Sequence, residues 1–589
     1  MTPAPRGRWI DEGQVFAGAM HYFRVHPEHW ADRLARLAAM GLTAVETYVP
    51  WNFHEYRRGE LRFDGWRDLP RFLELAAEAG LDAIVRPGPY ICAEWDAGGL
   101  PAWLQFDGPI GLRTSDPAFL APVDEWFAAL LPRLAPLQAD RGGPVIAVQV
   151  ENEYGSFGDD AEYLAWLERR LRAGGITVPL FTSDGATDLM VDAGTLPGVT
   201  PTMNFGSRAA ATRAFLEQRF PATPFLGGEF WAGWFDHWGE QHHRRSGASA
   251  ADPLREIVEA GGSINIYMAH GGTNFGLWAG ANHYEERLHP TVTSYDSDAA
   301  IAEDGTLTEK FAAFRTVFAA AGAEPRPEPA PPRRQTPRDL AVEHGAGLLE
   351  TLEGLAGAPV TAPRPLSFEE LGQSSGIVLY ETSVRIPQGG AALRVRGLAD
   401  RADVFVDGEH RGVLHRNDPD ATIALDGDGS SRRLVLAVES LGRINYGPLL
   451  GEGKGILGGV GIEAHGVIRS VFGWEHRGLD PNAEAAPSFT PLGDPGPTGL
   501  SRAVAVIGEP LDAHLELPGW GRGLLWLNGF LLGRYDEVGP QRTYYAPAGL
   551  WRQGENEILL LEAAHRGDAV GIRDRADLGP VTDYVEWQA

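Results

Sequence analysis

Within about the first 300 residues, eight short apolar runs alternate with helical patterns, and few folds accommodate such an alternation. The runs are Val15–Met20, Thr43–Val49, Ala83–Pro87, Val145–Val150, Pro179–Thr182, Thr202–Phe205, Pro224–Leu226 and Ser263–Tyr267. Between the first two, Trp30, Leu34, Leu37 and Met40 recur at helical spacing; after the second, Leu69 to Ala79 reads as a helix stopped by Gly80. A (β/α)8 TIM barrel has this strand count and about this length. A doubly wound open sheet is the competitor, but no Gly-rich phosphate turn follows the first strand. Residues 1–325 are therefore expected to form an α/β barrel that carries the chemistry.

At 589 residues the chain is too long for one core. The run Glu-Pro-Arg-Pro-Glu-Pro-Ala-Pro-Pro from Glu324 suits neither helix nor central strand, so 326–345 is expected to be an extended linker. Beyond it, short alternating strands with Gly and Asp turns predict β-sandwiches. Val404-Phe405-Val406-Asp407-Gly408, with Gly412, matches Leu525-Trp526-Leu527-Asn528-Gly529, with Gly533. Asp-Gly and Asn-Gly are hairpin turns because both central positions favour positive φ. Each copy is followed by a further apolar strand, which predicts two related β modules, 346–475 and 476–589.

A formal net charge of −28 argues against nucleic acid or an anionic membrane as partner. The single cysteine, Cys92, excludes an internal disulfide, the first residues lack the apolar stretch of a secretory signal, and no long apolar run is present; a cytoplasmic protein is expected. Oligomeric state is not legible, a homodimer being one assembly the chain allows. No cofactor is expected: the histidines have no metal-ligand spacing, and Gly271–Gly276 has no phosphate-loop lysine. No G-x-S-x-G elbow occurs in the catalytic half.

Barrel active sites lie where strands end, and the unusual residues collect there. Tyr48 ends run two, Glu94 follows run three, Glu151, Asn152 and Glu153 end run four, Glu229 ends run seven and Tyr267 ends run eight. Two carboxylates among aromatics suit hydrolysis of a glycosidic bond, one protonating the leaving oxygen and the other attacking the anomeric carbon. Glu153, the outer residue of its triplet, is assigned as general acid/base and Glu229 as nucleophile. An apolar wall and the second carboxylate should raise the proton affinity of Glu153. Three successive side chains on a strand cannot share a face, so the strand must already be turning at Glu151. Most nearby aromatics read as packing, with Trp231 the best placed platform for a sugar ring.

These segments resemble the β-galactosidases of glycoside hydrolase family 35. The resemblance runs through Glu46–Glu55, Arg86–Trp95, Gln149–Gly155, Gly228–Gly239, Gly271–Gly276 and Thr293–Asp296, and, in the C-terminal part, through Trp526–Glu562. It implies Glu153 as acid/base and Glu229 as nucleophile, with galactose contacts from Tyr48, Ile91, Cys92, Ala93, Glu94, Glu151, Asn152 and Tyr267. Two positions depart from the family pattern: Ser297 replaces the second Tyr of Ser-Tyr-Asp-Tyr-Asp, and Leu277 stands where many relatives carry Tyr. Both bear on sugar and linkage preference, with Tyr295 as the compensating contact. The expected activity is a retaining exo-β-galactosidase acting on terminal non-reducing β-linked galactose of oligosaccharides or glycoconjugates. The alternatives are a related β-glucosaminidase or β-glucosidase, or a non-catalytic carbohydrate-binding protein.

Overall fold

The computed structural model describes residues 13–221, 223–324, 326–483, 485–492 and 496–584. Eight parallel strands close into a barrel in chain order: β1 Phe16–Ala19, β2 Ala44–Tyr48, β3 Asp82–Arg86, β4 Val145–Gln149, β5 Leu180–Gly185, β6 Thr200–Phe205, β7 Leu226–Trp231 and β8 Ser263–Tyr267. Each run expected as a strand supplies one. They read as near-continuous apolar runs because a barrel buries both strand faces, one inward and one against the surrounding helices.

The inward face changes character along the strands. Toward their N-terminal ends Ala17, Ala44, Ile84, Ile146, Phe181 and Leu226 fill the barrel with apolar bulk. Two residues further, on the same faces by strand periodicity, stand Glu46, Arg86, Ser183 and Gly228. Glu46 and Arg86 are each only 1% exposed, so charge is concentrated inside the catalytic end of the barrel. Gly228 is required by space: a Cβ there would lie 2.2 Å from both Ser183 Oγ and Thr202 Oγ1.

Helices pack outside. Leu69–Glu78 begins where the Asp68 carboxylate accepts from the Arg71 amide at 3.0 Å and stops before Gly80, whose φ is +71°. The proline-rich stretch crosses the barrel surface, where Arg36 Nη2 donates to the Ala330 carbonyl at 2.7 Å.

The stretch expected as linker ends inside a sheet. Arg338–His344 pairs antiparallel with Gly499–Ile507 and Ala569–Arg573 in the eight-stranded sheet of the last β module. The chain thus enters that module first, leaves to build a middle module from Val360 to Leu479, and returns. The middle module is a sandwich of six- and four-stranded sheets around Val378, Tyr380, Leu436 and Trp474. The repeat is real in space. Asp407-Gly408 and Asn528-Gly529 both have positive φ, each hairpin slips register just before its turn, and the facing glycines Gly412 and Gly533 have φ of +146° and +152°.

Among the described residues no helix is long and apolar enough to cross a membrane.

Candidate active site

Glu229, the fourth residue of β7, is 5% exposed and surrounded by donors. Arg86 Nη1 donates to its Oε1 at 2.6 Å, the Tyr48 hydroxyl reaches the same oxygen at 2.7 Å, and Trp231 Nε1 donates to Oε2 at 3.1 Å. The guanidinium and two neutral donors offset the desolvation of a buried carboxylate. Arg86 is itself fixed: Nε donates to Gln149 Oε1 at 2.5 Å, Nη2 to Asn152 Oδ1 at 2.7 Å, and its plane lies over the Tyr48 ring at 4.2 Å. Below it, Glu46 Oε1 stands 3.8 Å from Arg86 Nε, and burial pushes this carboxyl up to about 7, against the pull of Arg86.

Glu153 lies four residues past the end of β4. The backbone has already turned, with φ of +56° at Glu151 and +48° at Glu153, a left-handed conformation that costs non-glycine residues energy and is held at functional sites. Consequently the triplet splits. Glu151 points into the protein, where Arg113 binds it through Nε at 3.0 Å and Nη2 at 2.8 Å, the Tyr163 hydroxyl donates at 2.9 Å, and the Asn152 amide donates at 2.6 Å. Glu153 instead accepts from Asn204 Nδ2 at 3.0 Å, and Ser183 Oγ, 2.6 Å from Asn204 Oδ1, orients that amide. Asn204 is the register partner of Glu229 across β6 and β7, so one residue links the places of the two carboxylates. Burial, and next the charge of Glu229, push the Glu153 carboxyl up to about 8.

The expected substrate contact at Glu151 is thereby corrected: its oxygens are consumed by a buried ion pair, and it braces the turn that presents Asn152 and Glu153. Arg113→Leu should lower unfolding stability by about 3–5 kcal/mol, because it leaves this carboxylate buried and unpaired. Urea denaturation reads this directly, and unchanged stability would mean that the pair does not organise the turn.

The remaining expected contacts gather at the same strand ends. Asn152 Oδ1 accepts from Arg86 and Gln149, the Tyr48 hydroxyl, whose one proton lies closer to Glu229, stands 3.0 Å from it, and its Nδ2 reaches the Ile91 carbonyl at 3.3 Å. Cys92, Ala93 and Glu94 have successive φ of +56°, +56° and +46°, a tight turn that aims main-chain groups and the Glu94 carboxylate inward. Burial raises the Glu94 carboxyl while the bond from the Tyr295 hydroxyl opposes it. The Tyr267 hydroxyl lies 3.3 Å from that of Tyr295, and Arg24 stacks on the Tyr295 ring at 3.7 Å. Burial pushes the Cys92 thiol well up, so it is a neutral wall. Trp231, expected as a platform, also donates to the Glu229 carboxylate. Leu277 is withdrawn from the site: it is 2% exposed, in an apolar cluster with Leu348, Trp526 and Leu531 of the β modules.

Several residues were not anticipated. Arg86 ends β3 and was discoverable by the strand-end rule that selected Tyr48. Asn204 obeys the same rule on β6. His21 packs edge-on against Tyr48 and Tyr267, with ring centroids at 5.5 and 5.7 Å. Tyr446 had no local signal, because it comes from the middle β module. There Arg443 N donates to Asp96 Oδ1 at 2.7 Å and the Tyr90 hydroxyl to the Asn445 carbonyl at 2.5 Å, pinning the segment to the rim. Tyr446 is 37% exposed, and burial, and next the charge of Glu153, push its hydroxyl up to about 12.

The family model described as "Glycosyl hydrolases family 35" matches residues 10–321. Models described as the first all-beta domain and the galactose-binding domain of beta-galactosidase match 365–479 and 501–556. Among curated proteins, a beta-galactosidase of Mus musculus is 39% identical over 596 residues, covering 95% of this chain and 90% of its own length. That of Bos taurus is 38% identical, with coverages of 95% and 90%, and that of Homo sapiens 40% identical, with coverages of 95% and 86%.

Proposed function

The chain belongs to family 35 of the glycosyl hydrolases, and on that premise we propose that it is a retaining exo-β-galactosidase with Glu229 as nucleophile and Glu153 as acid/base. The observation that carries the roles is the contrast between the two carboxyls. Glu229 is held by a guanidinium and two further donors, whereas Glu153 has one amide donor and a proton affinity raised by burial and by Glu229.

Glu229 attacks the anomeric carbon as the bond to the leaving oxygen breaks, and Glu153 gives that oxygen its proton. The product is a galactosyl ester on Glu229, which is neutral. With the neighbouring charge gone, one cause of the raised Glu153 pKa disappears, so its carboxylate is suited to take a proton from water. The resulting hydroxide character at water displaces Glu229 from the same face of the sugar that the leaving group vacated, and configuration is retained. Asn152, with its oxygen engaged by Arg86 and Gln149, presents its amide to a sugar hydroxyl, and Glu94 accepts from another.

A panel of aryl β-glycosides, with the first-formed anomer followed by NMR, tests the reading. Preference for the β-galactoside with β-galactose released first is expected. Preference for a β-glucoside or β-glucosaminide overturns the sugar assignment, binding without turnover favours a lectin-like protein, and α-galactose as first product overturns the double displacement.

A further inference from the structure

The loop that leaves the nucleophile strand carries a stack of half-buried aromatic rings whose outer support comes from the far end of the sequence. Trp231 lies edge-on to Trp234 at 5.9 Å, and Trp234 stacks on Phe235 at 5.1 Å. The other face of Trp234 is covered by Tyr584, at 5.4 Å with the rings 22° apart. Tyr584 follows Val581–Asp583, a strand that pairs in parallel with His242–Arg244 of the same barrel loop. The pairing is extended at both ends, the His242 amide donating to the Pro580 carbonyl and the Tyr584 amide to the Arg244 carbonyl, each at 2.8 Å. Asp236 ties the loop from inside, accepting from His242 Nδ1 at 2.7 Å and from the His243 amide and Nδ1 at 2.9 Å. Arg245, next along, donates through Nη1 to the Trp231 carbonyl at 3.0 Å.

Trp231 touches the Glu229 carboxylate, so the stack begins at the reacting centre and runs outward from it. On the galactosidase reading the sugar is held by Tyr48 and Tyr267, at the ends of β2 and β8, and by Glu94 and Asn152, in the turns after β3 and β4, and whatever is attached to it must leave along the rim. We propose, resting on the galactosidase reading, that the strap Val581–Tyr584 positions Trp234 and thereby Trp231 as a wall for the leaving saccharide, making Tyr584 a positioning residue for leaving-group specificity. A pyranose presents an apolar C–H face that an aromatic ring covers well, and a wall of this kind discriminates only if its rings are held in place. Elsewhere the loop is pinned at Ala232, Asp236, Trp238 and Arg245, by bonds with Tyr267, Val292, Pro290 and Asp298; the strap adds a three-residue ladder and the ring stacked on Trp234.

The test compares a β-galactosyl disaccharide with β-galactosyl fluoride, whose leaving group is too small to reach the wall. Tyr584→Ala should lower kcat/KM on the disaccharide about three- to tenfold, mainly through KM, the loss of one aromatic pair. Turnover of the fluoride and the melting temperature should be unchanged, Tyr584→Phe should restore the disaccharide value, and Tyr584→Ala added to Trp234→Ala should cost nothing further. Equal losses on both substrates, no loss on either, or full additivity with Trp234→Ala would overturn the proposal. If the unsubstituted protein turns over neither substrate, the galactosidase reading itself fails, and the proposal with it.

Discussion

Glu229→Gln should abolish turnover of both aryl galactosides and disaccharides, with kcat falling on the order of 10⁵-fold, or about 7 kcal/mol of transition-state stabilisation. Glutamine retains the shape and its one oxygen can accept from Tyr48 on one side or Trp231 on the other, but it cannot form the ester on which the first half-reaction depends. The fold should survive, since Arg86 keeps Gln149 and Asn152 as partners and Glu46 at 3.8 Å as a second carboxylate. A normal melting curve with no chromogenic activity is therefore the expected pair of results. Truncation to Glu229→Gly opens room for a small external anion, and azide should then give galactosyl azide of inverted configuration. Near-normal turnover by Glu229→Gln would remove Glu229 from the reaction.

Glu153→Gln should split substrates by leaving group. A disaccharide needs its departing alkoxide protonated, and loss of a general acid costs about 10²–10⁴-fold. A dinitrophenyl galactoside departs unaided, so its first step should be nearly normal, and the galactosyl ester should accumulate because the base for the second step is also gone. The pH profile gives the sign independently. Glu153 must carry a proton, and its carboxyl is pushed up to about 8, so kcat/KM on a disaccharide should fall as pH rises through that value. Protonated Glu153 below it is the active form. In Glu153→Gln this alkaline limb should vanish. A limb that survives the substitution belongs to another group, and equal losses on both substrates contradict the acid role.

Strand positions were legible because barrel strands are buried on both faces, which leaves apolar runs that periodicity alone detects. The hairpins at Asp407-Gly408 and Asn528-Gly529 were legible for a different reason: positive φ at two consecutive positions selects those residue types. Arg338–His344 was misread as linker because prolines precede it and only Leu340 is buried, so alternation is faint. Within the site, strand ends located Tyr48, Glu94, Glu153, Glu229 and Tyr267 near one another. The same rule misplaced Glu151, because a local sequence does not show that the chain turns left-handed there, nor that Arg113 waits 38 residues earlier. Tyr446 and Tyr584 had no signal at all. Their place at the rim depends on how the β modules dock, and docking is encoded in contacts between distant segments.

Retention by this chain requires a covalent bond between galactose and the Glu229 carboxylate. A 2-deoxy-2-fluoro-β-galactoside with a dinitrophenyl leaving group slows the second step more than the first and should trap that bond for mass spectrometry. The expected result is one added fluorogalactosyl unit per chain, on the peptide containing Glu229 and on that residue. A label on Glu153, or hydrolysis that never passes through a labelled chain, would contradict the account.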